Sequence, residues 1–114
     1  MAGKYDLYIE QGATYSKTFT WTDATGSAVD LTNFTARLHI RADIDDEDPI
    51  IELTHSNGIT LGGAAGTIVA TISAGDTELL ELDQYVYDLK LTSAAGVATR
   101  LLEGTVFVSP AVTR

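Results

Sequence analysis

The chain has 114 residues with a formal net charge of −9, and 45% of its residues are hydrophobic, the makings of one ordinary domain with one core. It contains no cysteine, which excludes disulfides, thiolate nucleophiles and cysteine-based metal sites. The acidic balance disfavours nucleic acid as a partner, no apolar run approaches the roughly 18 residues that span a bilayer, and nothing at the N-terminus reads as a signal peptide.

Along the chain, alternation of apolar and polar residues predicts strands. In "YDLYIE", Tyr5, Leu7 and Ile9 share a face, and in "TYSKTFTW", Tyr15, Phe19 and Trp21 do so with Lys17 among them. After the turn residues of "DATGSAVD" comes the cleanest pattern, "FTARLHIR". It points Phe34, Ala36, Leu38 and Ile40 inward and Thr35, Arg37, His39 and Arg41 outward. "PIIELT" reads as a short strand, and Asn57-Gly58 as a hairpin turn. "TIVATI" and "YVYDLKLT" alternate again, putting Ile68, Ala70 and Ile72, then Tyr85, Tyr87, Leu89 and Leu91, on the core side. "SAAG" links to a long last strand in which Gly104 suggests a bulge or a change of sheet.

Only "SAGDTELLELD" departs from alternation. Ser73 is a candidate N-cap, and Leu79, Leu80 and Leu82 lie on a helix-like stripe, so a short helical turn is expected near 74–82. The expected fold is all-β: one immunoglobulin-like antiparallel β-sandwich of about seven or eight strands over 1–114, with 110–114 a candidate mobile tail. Tyr85 or Tyr87 is expected to form the tyrosine corner.

The search for chemistry yields little. "LGGAAGT" lacks both the Lys-Ser/Thr and the following helix of a phosphate loop, and a turn is the better reading. The two histidines, His39 and His55, stand near no serine on a strand–turn–helix elbow, so no nucleophile–base pair is evident. Asp43, Asp45, Asp46 and Asp48 are a weak candidate cation site by ligand type. Glu47 and Asp48 break the EF-hand spacing, however, and a solvated turn is the better reading. Arg37, His39 and Arg41 are the one local concentration of basic side chains. They are either paired across strands or offered as a contact face to an acidic partner, another copy of this chain included. No catalytic residue and no cofactor is expected.

Three stretches, "IEQGATYSKTFTW", "DLTNFTARLHIR" and "GTIVATISAGDTELLELDQYVYDLKLTSAAGVATRLLEGTVFVSP", together resemble small tailed-bacteriophage virion proteins. The likeness is to the N-terminal β-sandwich domain of some phage baseplate proteins, and it covers nearly the whole chain. Asn33 stands where that pattern usually has glycine, and the acidic run from Asp43 is longer than the pattern. The resemblance implies a non-enzymatic structural or accessory protein of the tail, neck, baseplate or head surface, made in the host cytoplasm. It would contact other virion proteins, in repeated copies, and nothing in it points to nucleic acid or membrane. The alternative expectation is a receptor- or carbohydrate-binding sandwich assisted by Ca²⁺ at the acidic loop, although the sequence offers no evident exposed Trp or Tyr platform.

Overall fold

Residues 3–43, 45 and 48–110 are described by a computed structural model. Their strands are β1 (Gly3–Lys4), β2 (Leu7–Glu10), β3 (Tyr15–Thr20), β4 (Thr35–Arg41) and β5 (Ile51–Thr54), followed by β6 (Ile59–Leu61), β7 (Thr67–Ile72), β8 (Gln84–Thr92) and β9 (Ala98–Ser109). One sheet has the order β1-β9-β8-β4-β5, with β2 also along β9; the other has the order β3-β7-β6. The alternation that predicts the strands also builds the core. Leu38, Ile40, Ile68, Ile72, Tyr85, Leu89 and Val106 are all buried between the sheets, while Phe34 is half-buried and packs against them. Trp21 meets Phe34 edge-on at 6.2 Å and covers the same flank.

The connections are those of an all-β, immunoglobulin-like sandwich: β4–β5, β6–β7 and β8–β9 pair within a sheet, β1 and β2 follow one another along β9, and the other links cross between sheets. The tyrosine corner is Tyr85, whose hydroxyl accepts the Leu82 N–H at 3.0 Å. Not every pair is antiparallel: β1 and β2 run parallel to β9.

Several local expectations change. Asn57-Gly58 makes no hairpin; it carries the chain from β5 in one sheet to β6 in the other, and only Gly58 takes positive φ, at 97°. A Cβ on Gly58 would meet the Leu53 side chain at 2.6 Å, so the crossing is tight. Asn33 does adopt the left-handed conformation, φ 65°, that its place in the turn requires.

The helix, α1, is one turn, Ala74–Thr77, with the Ser73 hydroxyl accepting from Asp76 N. It ends before the leucines, so Leu80 is buried while Leu79 and Leu82 are about half exposed. Thr77, its last residue, is fully buried, donating to Ala13 O and accepting from Gly12 N.

The irregularity of the last strand lies at Leu101, where the β8–β9 register shifts, and not at Gly104. Gly104 serves a different need. An added Cβ there would sit 2.3 Å from Tyr5 O, where the edge strand breaks between β1 and β2. Across that gap the Tyr87 hydroxyl donates to Tyr5 O and the Asp6 carboxylate accepts from Thr105 N. Side chains thus replace the missing ladder bonds.

Candidate functional site: the outer face of the larger sheet

The side chains of β4, β8 and β9 that do not enter the core emerge on one surface. Register brings them into rows. Arg37 stands opposite Lys90, and Lys90 opposite Arg100. In the next row His39 lies between Glu52 and Asp88, and Asp88 faces Glu103. The bulge at Leu101 makes this possible. Residues three apart on a regular strand face opposite sides, but the extra residue leaves Arg100 and Glu103 on the same side, 3.6 Å apart.

The rows line a shallow concavity of about 540 Å³ that also takes in Lys4, Arg41, Val86 and Thr105. Five of the chain's seven lysines and arginines border it. All three candidate interface residues, Arg37, His39 and Arg41, line it, joined by Lys4, Lys90 and Arg100. Alternation in β8 already marks Lys90 as outward, but which residue lies beside it depends on strand register, which the sequence does not print.

Carboxylates only partly answer these cations. Arg37 leans to Glu52 at 3.7 Å and Arg100 to Asp88 at 3.9 Å, with all four side chains well exposed, so each pair contributes little. Lys90 and Lys4 make no ion pair among the described residues. Like charges directly opposite on neighbouring strands are destabilising. The Arg37–Lys90–Arg100 row is thus a local cost that the isolated domain carries.

His39 is held on both sides. Its Nε2 lies 2.7 Å from Glu52 Oε2 and its Nδ1 3.1 Å from Arg41 Nη2. A guanidinium only donates, so Nδ1 accepts and the imidazole hydrogen sits on Nε2, directed at Glu52. With both nitrogens engaged, His39 orients Arg41 and Glu52 and has no hydroxyl to activate. His55 is exposed beside Ser56 in the turn after β5.

Elsewhere, Asp43, Asp45 and Asp48 are exposed, and the Asp43 carboxylate accepts from Asp45 N at 3.2 Å, a turn bond. Asp46 lies outside the described residues. Among the described residues no group of three or more His, Asp or Glu side chains is placed to share a metal ion.

One feature the sequence did not reveal is an aromatic pair. Tyr8, 70% exposed, stacks on Phe107 with ring centroids 5.3 Å apart. It comes from the parallel pairing of β2 with β9, which sets Tyr8 opposite Phe107. No protein-family model and no curated protein matches the chain.

Proposed function

We propose that this chain is a non-enzymatic structural or accessory module of a tailed-phage particle, in the tail, neck, baseplate or head surface, that joins other virion proteins through the outer face of its larger sheet. The observation that carries the docking role is the in-register row Arg37–Lys90–Arg100 on a chain of net charge −9. An acidic partner surface would relieve the repulsion within that row and steer encounter. The phage setting rests on the sequence resemblance, which spans nearly the whole domain.

The test is particle incorporation. Arg37→Glu combined with Arg100→Glu should leave the chain folded, with its far-UV spectrum unchanged, since both side chains are exposed. The same variant should be depleted from assembled particles. Normal incorporation of the folded variant would overturn the reading.

The Tyr8–Phe107 pair favours one alternative, a receptor- or carbohydrate-binding module, because an exposed aromatic face can stack on a sugar ring. Glycan binding that Tyr8→Ala abolishes and the double arginine variant leaves intact would support that alternative instead.

A further inference from the structure

Charge is sorted along the length of the domain as well as across it. Strand β8 spans nine residues, roughly 26 Å at 3.3 Å per residue. At its first end, where β4 finishes and β8 begins, two connections converge. One carries Asp43 and Asp48; the other carries Asp76, Glu78, Glu81 and Asp83. No lysine or arginine lies on the second connection, and Leu79 and Leu82 stand half exposed among its carboxylates. Toward the other end of β8 lies the Arg37–Lys90–Arg100 row, with Val97 exposed in the adjoining turn. The molecule therefore has an acidic, leucine-bearing pole with Arg41 at its margin and, displaced from it along the same strands, the cationic Arg37–Lys90–Arg100 row.

We propose that the partner of the cationic face is the acidic pole of a second copy of this chain, so that copies associate head to tail. This deepens the docking role assigned above and rests on it. The argument is complementarity of two surfaces that one chain carries but cannot bring together within itself, because β8 holds them apart. The carboxylates from 76 to 83 would answer the three cations of the row, and Leu79 and Leu82 would supply the apolar contact that exposed ion pairs lack. Such a contact uses two different patches, so it leaves one of each unfilled at the ends. It propagates into a ring if the rotation closes and a filament if it does not.

Heterologous pairing has a signature that no face-to-face dimer shares. One variant, Arg37→Glu with Arg100→Glu, blocks the face; another, Glu78→Gln with Glu81→Gln, blocks the pole without creating a cationic patch that the altered face could bind. Sedimentation velocity at low salt should show the unaltered chain forming oligomers that dissociate near 1 M salt, where the screening length falls to about 3 Å. Each variant alone should be monomeric. An equimolar mixture should form a one-to-one dimer and nothing larger, since only one intact face and one intact pole remain. Circular dichroism confirms that both variants fold. A mixture that stays monomeric, or self-association that survives in the face variant, overturns the proposal. So does an unaltered chain that is monomeric at about 1 mM, a concentration that populates even contacts worth only about 4 kcal/mol. In that last case, loss of particle incorporation by the face variant would still leave the docking role standing on a different acidic partner.

Discussion

Gly104→Ala is the sharpest perturbation of the fold, because two opposite effects can be weighed. On an ordinary strand, replacing glycine by alanine stabilises by about 0.4–1 kcal/mol through the unfolded chain. Here the added Cβ would sit 2.3 Å from Tyr5 O, 2.9 Å from Tyr5 C and 3.0 Å from Asp6 Oδ1. Carbon–oxygen contacts settle at about 3.3 Å or more, so the β1–β2 edge must retreat by roughly 1 Å. The bonds spanning that point are Tyr87 Oη to Tyr5 O, Tyr5 N to Glu103 O and Thr105 N to Asp6 Oδ1. At about 0.5–1.5 kcal/mol each, losing most of them costs about 2–4 kcal/mol, which outweighs the gain. Tyr87→Phe removes one of the three and should cost about 1 kcal/mol. Because both changes act on the same contact, the Gly104→Ala penalty should shrink by about 1 kcal/mol in the Tyr87→Phe background. Urea unfolding at constant slope measures all three variants. A Gly104→Ala midpoint at or above that of the parent, or strictly additive costs, would refute the account of the edge.

Leu38→Ala, at a fully buried position of β4, should lower stability by about 2–5 kcal/mol in the same assay, and an unchanged midpoint would mean the face assignment of β4 is wrong. Thr77→Val keeps the shape but strands the Gly12 N–H and Ala13 O, and should cost about 1–3 kcal/mol. Burial, with the Tyr15, Asp6 and Tyr5 charges behind it, pushes the Tyr87 hydroxyl well above its ordinary 10.0, and burial raises Tyr15 as well. A group whose folded pKa is raised contributes stability that is complete below the unfolded value and is lost as pH rises past it. Stability should therefore fall above about pH 10. Tyr87→Phe should flatten that fall in denaturant titrations at successive pH values, and an unaltered slope would count against the assignment.

Much of the sandwich is legible because alternation decides which face a side chain takes. "FTARLHIR" and "YVYDLKLT" read correctly at every buried position but Phe34, which ends half-buried just outside β4. Alternation fails where the ladder is interrupted. Tyr5 is in phase with Leu7 and Ile9 yet is 40% exposed, because it falls at the break between β1 and β2. The helical expectation fails after α1, where Leu82 N turns to the Tyr85 hydroxyl and the leucine stripe dissolves. The site was half legible. Arg37, His39 and Arg41 follow from one strand. Lys4, Lys90 and Arg100 join them through pairing register and through the bulge at Leu101, neither of which a period-2 pattern contains.

The two outer faces carry this difference to its functional end. On the smaller sheet the outward positions are Ser16, Thr18 and Thr20 on β3 facing Thr71, Val69 and Thr67 on β7, mostly β-branched side chains that favour strands, and none of them charged. Such a face neither steers a partner nor repels one. On the larger sheet the outward positions bear most of the chain's cations, three of them in a row that an isolated domain would be more stable without. Stability alone could have been served by threonines there too, as on the other side. The molecule instead keeps this cation row, with Glu52, Asp88 and Glu103 beside it, on the face where strands β4, β8 and β9 run longest. At the end of those strands it gathers the carboxylates of the 73–83 connection, which form no ion pair among the described residues. That separation of signs is what a directional contact requires. A uniformly acidic surface, which net charge alone would suggest, could only hold copies apart.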